Sequence, residues 1–187
     1  MKKILLLVAL LMTATVSVQA QKNIPANLRL EVAEAEKDDA DYSIFIYKDD
    51  DGTQGYYMSL GGTSQLFSIS IGGFTDFSVE DVFETCLWLG NTTDEVFAAL
   101  DTILAMYDME VGTVREFQGR TTTGSGRLAE QNVSKCEVSK RLIGGNRLLF
   151  SFASGRYQCG VYLTKGVVKQ LRFGLKTNMK LNPKLHR

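Results

Sequence analysis

Histidine occurs once in the 187 residues, as His186, next to the last position. A Ser-His-Asp or Cys-His constellation needs an imidazole held in place by neighbours, and histidine-based zinc sites need imidazoles on fixed elements. A lone histidine in a polar tail supplies neither. No S-x-x-K occurs, and Lys176-Thr177-Asn178 is not the K-T-G of serine–lysine enzymes. No P-loop is present and no G-x-G-x-x-G leads from a strand into a helix. Asp49-Asp50-Asp51-Gly52 looks like part of a calcium loop. Aligning Gly52 with the loop glycine of an EF-hand, however, puts Tyr47 at the first ligand position and Met58 where a bidentate Glu belongs. The run therefore reads as an acidic hairpin turn. No catalytic residue, cofactor or metal ligand is assigned. Paired carboxylates remain open, because glycoside hydrolysis needs only two acids at the right separation.

The acids are unevenly spread. Residues 21–110 hold 18 acidic and 4 basic side chains, whereas residues 111–187 hold 3 acidic and 15 basic ones. Either the two halves neutralise each other within one fold, or a basic surface meets an anionic partner. Alternation along the back half places Lys135, Arg141, Arg147, Tyr162, Arg172 and Lys176 on one sheet face, opposite its apolar residues. A face of cations and a tyrosine suits an anionic glycan or a protein partner. Export disfavours nucleic acid.

Export is read from the N-terminus. Met1-Lys2-Lys3, the apolar run Ile4–Met12 and Val18-x-Ala20 form the three parts of a cleavable signal peptide over residues 1–20. Nine apolar residues are too few for a transmembrane anchor, which needs about 20. No cysteine stands near the cleavage point to carry a lipid. The destination is the periplasm, the cell surface or the medium. Asn91-Thr92-Thr93 and Asn132-Val133-Ser134 are glycosylation sequons, which matter only in a eukaryotic source. Cys86, Cys136 and Cys159 make an odd set, which favours three buried, reduced thiols.

The elements that must position these residues follow from periodicity. Val96, Phe97, Leu100, Ile103, Leu104 and Tyr107 draw one stripe on a helix over Asn91–Asp108, and Thr92 with Glu95 forms a capping box. Leu28, Leu30 and Val32 alternate as on a half-buried strand. Tyr42–Tyr47 is apolar on both faces, as in a central strand. Gly55–Leu60 and Leu66–Ile71 read as two further strands separated by Gly61-Gly62. Ser78–Gly90 is open to two readings: Val79, Val82, Phe83, Cys86 and Leu87 fit helical spacing, but the aromatic and β-branched content of Phe83–Leu89 favours a strand entering the helix. Behind the helix, Thr113–Thr123, Lys135–Ile143, Arg147–Ala153 and Tyr157–Leu163 read as strands. The two-residue turn Lys165-Gly166 would then start a last strand, Val167–Leu175, with Leu171, Phe173 and Leu175 inward, ahead of a frayed tail 176–187. Trp88 is assigned to the core.

The expectation is an α+β fold, mainly antiparallel sheet in meanders before and after one amphipathic helix packed across it. Residues 21–187 form one domain, with 73–78 the alternative place for a subdomain break. The expected role is an exported, non-enzymatic binding module. The alternatives are a hydrolase using front-half carboxylates and a structural part of an envelope assembly.

Overall fold

A computed structural model describes residues 25–37, 40–71, 75–122, 127–141, 144–154 and 157–186. The leader 1–20, Gly72-Gly73, Leu142 and the Gly124-Ser125-Gly126 loop lie outside the described residues.

Eight strands form one antiparallel sheet in chain order. They are β1 (Arg29–Lys37), β2 (Ala40–Lys48), β3 (Gln54–Ile71), β4 (Thr75–Gly90), β5 (Val114–Thr122), β6 (Leu128–Ser139), β7 (Arg147–Ser154) and β8 (Tyr157–Leu163). Helix α1 (Thr93–Met106) lies between β4 and β5, and α2 (Lys165–Leu181) follows β8. Among the described residues the fold is mainly antiparallel β with two helices.

Strand β2 carries apolar side chains to both faces, as its composition requires. Tyr42, Ile44 and Ile46 enter the main core, while Phe45 and Tyr47 enter a smaller cluster with Tyr57, Cys86 and Leu128 on the other face. The main core continues through Met58 and Leu87, which align with Ile44, and through Cys136, Phe150 and Val161, which align with one another. Cys136 and Cys159 stand on β6 and β8 with β7 between them. All three cysteines are free and buried.

The sheet is strongly rolled. The Tyr42 hydroxyl on β2 donates to the Tyr162 carbonyl on β8 at 3.0 Å. Six strand steps in a flat sheet would span roughly 29 Å. The roll wraps the inner face around both helices. Helix α1 begins at the expected capping box: the Glu95 N–H donates to Thr92 Oγ1 at 3.3 Å, and the Thr92 N–H to Glu95 Oε2 at 3.1 Å. Val96, Leu100, Ile103 and Met106 are its buried stripe. Gly90, at φ +139°, makes the corner from β4 into this helix, and a side chain there would collide with Glu95.

Five expectations are corrected. Val167–Leu175 is not a strand but the body of α2, and residues 176–181 continue that helix rather than fray. Val167, Val168, Leu171 and Leu175 are buried at i, i+1, i+4 and i+8, whereas Phe173 is 73% exposed. Period 3.6 explains that pattern and period 2 does not. The tail end is also held, because His186 Nδ1 lies 2.9 Å from the Tyr56 hydroxyl and Nε2 lies 2.9 Å from Asn178 Oδ1. Gly61-Gly62 does not end a strand; both glycines are paired, to Glu84 and Phe83, inside the long β3–β4 ladder. The β1 alternation shifts at a bulge between Glu31 and Ala33, so Val32 and Ala33 are both buried. Trp88 is 43% exposed, because Leu87 and Leu89 take the core side of β4.

The helix and the strand assignments of residues 165–181 predict different stabilities. Leu171→Ala should cost about 2–5 kcal/mol and Phe173→Ala less than about 0.5 kcal/mol in denaturant unfolding. Equal losses at the two positions would restore the strand.

Candidate functional site

The six residues expected on one basic sheet face do not share it. On the outer face of β6–β8, Lys135 aligns with Ser151 and Gly160, Glu137 with Leu149 and Tyr162, and Ser139 with Arg147. Arg147 stacks its guanidinium 3.5 Å from the Tyr162 ring centroid. Strand β5 places Glu116 opposite Lys135 and Val114 opposite Glu137. Acids therefore interleave with the cations, and this face is mixed rather than basic. Arg141 lies beyond β6 and lines a cleft of about 350 Å³ with Asp108, Asn146 and Lys165 at the start of α2. Arg172 and Lys176 are on α2 and not on the sheet at all. Their separation follows from the helix that replaced the last strand.

Helix α2 concentrates the charge that the sheet face lacks. It carries Lys165, Lys169, Arg172, Lys176 and Lys180 and no acidic residue. Two of the five cations are neutralised from this side of the sheet: Lys165 bonds Asp108, just past the end of α1, at 2.9 Å, and Arg172 bonds Asp101 on α1 at 2.9 Å. Lys169, Lys176 and Lys180 have no ion-pair partner among the described residues. They fall at i, i+7 and i+11, on the side of the helix opposite Val168, Leu171 and Leu175. Phe173 stands in the same exposed stripe. Beside it runs a groove of about 450 Å³ between the helices, lined by Phe97, Arg172, Lys176, Met179 and Lys180. Arg172 lies 5.2 Å over the Phe97 ring, so the groove has an apolar wall and a cationic rim.

The front half holds a third concave site. Glu31, Glu34, Glu36 and Glu84 line a cleft of about 520 Å³ with Tyr42, Ser43 and Ser59. The β1 bulge creates it, since residues 31 and 34 would otherwise point to opposite faces. Glu31 is pushed up by its hydrogen bond to Glu34, then by burial and by the Glu34 charge. Burial opposes the ionisation of Glu84, but bonds from Arg29, Ser59 and Thr122 together outweigh it and hold Glu84 below its ordinary value. Arg29 grips both carboxylate oxygens at 2.6 and 2.8 Å, and Ser59 Oγ donates at 2.5 Å. Both oxygens of Glu84 are thus occupied. Among the described residues no cluster of His, Cys, Asp and Glu has the makings of a metal site.

These ion pairs also explain much of the charge asymmetry. Of five ion pairs among the described residues, four join a front-half acid to a back-half base: Asp49–Arg120, Asp50–Arg127, Asp108–Lys165 and Asp101–Arg172. The halves neutralise each other at these points and leave the α2 stripe as residue. Sequence reasoning missed the α2 groove and the acidic cleft. The only sequence signal for the α2 groove is the i, i+4, i+8 spacing of Val167, Leu171 and Leu175, which competes with the alternation of Leu171, Phe173 and Leu175. The acidic cleft depends on a bulge that no alternation pattern announces. No protein family, curated protein or solved structure matches the chain.

A carboxylate whose pKa is depressed on folding adds stability above its unfolded value, near 4.5, and loses it as pH falls through the lower folded value. Glu84→Gln should therefore cost about 1–3 kcal/mol at neutral pH, since it strands Arg29 with half its partners. The deficit relative to wild type should shrink steadily as pH drops below about 4.5. Urea unfolding across pH checks this; a deficit that stays constant into acid would show that Glu84 is not charged in the folded state.

Proposed function

We propose that this protein is an exported, non-enzymatic binding module that engages an anionic partner through a basic surface of its C-terminal half. Its scaffold is read as an α+β arrangement of rolled sheet and packed helices. Export is supported by the leader at residues 1–20 alone. The observation that carries the binding reading is the outward stripe of α2, where Lys169, Lys176 and Lys180 stand without counter-ions among the described residues. A helix that only had to cover the core would have no need of uncompensated like charges on its solvent side, where alternating signs cost less.

The surface proposed from the sequence is thereby narrowed. Lys176 stays in it, beside Arg172 at the groove. Lys135, Arg141, Arg147 and Tyr162 belong to other parts of the surface. Immobilised dextran sulfate is a suitable anionic probe. Wild type should bind it and release steeply between about 50 and 500 mM salt, as exposed charges are screened. The triple variant Lys169→Glu, Lys176→Glu, Lys180→Glu should bind at least about tenfold more weakly. Binding that ignores salt, or survives the triple reversal, sinks the proposal.

The acidic cleft supports a second reading, a hydrolase working through paired carboxylates. Glu31 raised and Glu84 lowered in one cleft is a division of roles that acid–base catalysis uses. The engagement of both Glu84 oxygens by Arg29, Ser59 and Thr122 counts against it as a base or nucleophile. Turnover of chromogenic glycosides that disappears in Glu31→Gln would establish this reading. No turnover across a broad panel would close it.

A further inference from the structure

We propose that the outward face of α2 docks flat on an anionic lipid bilayer, with Phe173 entering the headgroup region. This names the partner class of the basic face described above and rests on that reading. Phe173 is 73% exposed and lies between Lys169, Lys176 and Lys180 on one helical stripe, with Leu181, 75% exposed, at its edge. The opposite side of the helix is committed to the core through Val167, Val168, Leu171 and Leu175, so α2 cannot turn these groups away from water. The groove beside the stripe adds the apolar surface of Phe97 and Met179 behind a rim of Lys176 and Lys180.

The chemistry separates lipid from other polyanions. A soluble anionic chain needs only the cations and gains little from a phenyl ring among them. A bilayer surface uses both groups. Lysines meet the phosphates, and a bulky apolar residue in the middle of the stripe reaches the acyl boundary, as on interfacial amphipathic helices. Each lysine close to an anionic membrane strengthens attachment roughly fivefold, so three give on the order of a hundredfold. The 17-residue helix is about 26 Å long, and Lys169, Phe173, Lys176 and Lys180 are all exposed along it, which lets the stripe meet a plane along most of its length. Facing groups do not oppose this. Asp101 on α1 and Asp108 just past its end are paired with Arg172 and Lys165, and the glutamates of β1 lie on the far side of that strand from α2. Among the described residues no helix is long and apolar enough to cross a membrane, so attachment here would be peripheral.

The test uses the full chain, with wild type and Phe173→Ala compared throughout so that any contribution of Ile4–Met12 cancels. The probes are phosphatidylcholine vesicles with and without phosphatidylglycerol, and dextran sulfate in solution. Wild type should partition at least about tenfold more strongly to the phosphatidylglycerol vesicles. Phe173→Ala should lose about tenfold of that partitioning while keeping its dextran sulfate affinity. A Phe173→Trp variant, measured against a wild type that already contains Trp88, should gain blue-shifted emission on the anionic vesicles only. The inference is overturned if phosphatidylglycerol brings no preference. It is equally overturned if Phe173→Ala partitions like wild type, or if the alanine weakens dextran sulfate binding by the same factor. Retained, salt-sensitive binding to dextran sulfate in those cases would leave the anionic-partner reading standing. Loss of binding to both probes would remove the two together.

Discussion

Gly174 of α2 rests on Ala33 of β1 so closely that a β-carbon at 174 would lie 3.2 Å from the alanine methyl. This contact joins the last helix of the chain to its first strand. An eight-stranded meander in chain order places β1 and β8 at opposite edges, and its inner face must still be covered along its whole width. Helix α2 leaves β8 and returns to β1, so one element ties both edges to the core. Rolling the sheet shortens the gap that it must span, and the Tyr42 to Tyr162 bond marks where the roll nearly closes. The exposed cations of α2 are a consequence, since the helix is fixed in rotation by what it buries.

The roll also demands a solution on the outer face. Arg29 on β1 reaches Thr122 on β5 at 2.8 Å, four strand steps away. Between them Glu84 accepts from Arg29, Ser59 and Thr122. This polar group seals the smaller cluster of Phe45, Tyr47, Tyr57, Cys86 and Leu128, with Arg29 4.7 Å over the Phe45 ring. The enclosure shows in the chemistry of the thiol, because burial pushes Cys86 up to about 12 and leaves it a poor nucleophile. Where β4 meets β5, Gly119 passes within a distance of the Cys86 carbonyl that no side chain could share. A larger residue there would force the strands apart and open the seal.

Local signals were legible where one principle decided alone. The capping box of Thr92 and Glu95 and the two-faced strand Tyr42–Tyr47 both followed from spacing. Residues 165–181 show the limit. Leu171, Phe173 and Leu175 alternate as on a strand, and Lys165-Gly166 has the composition of a hairpin turn. The burial of Val167 and Val168 together with Leu171 and Leu175 is what decides for a helix. That burial depends on β1 supplying a surface, a long-range contact that no local window contains. The bulge at Val32 is hidden for the same reason, since it is set by pairing with β2. The candidate sites were hardest to read because both arise from such non-local adjustments.

Net charge is a poor guide to what this surface attracts. The chain has equal numbers of acidic and basic residues, and four cross-half ion pairs cancel much of the asymmetry along it. What remains is spatially sorted by β1. Its outer face lines the acidic cleft with Glu31, Glu34 and Glu36, while its inner face carries α2, whose lysines face away from the core. At physiological ionic strength charges are felt over about 8 Å, much less than the length of the helix. A partner approaching α2 therefore meets a local row of cations around an aromatic ring, not the average of the molecule. The arrangement gives a protein of balanced charge one side with a row of exposed cations, and its orientation is set by the same valines and leucines that hold the fold together.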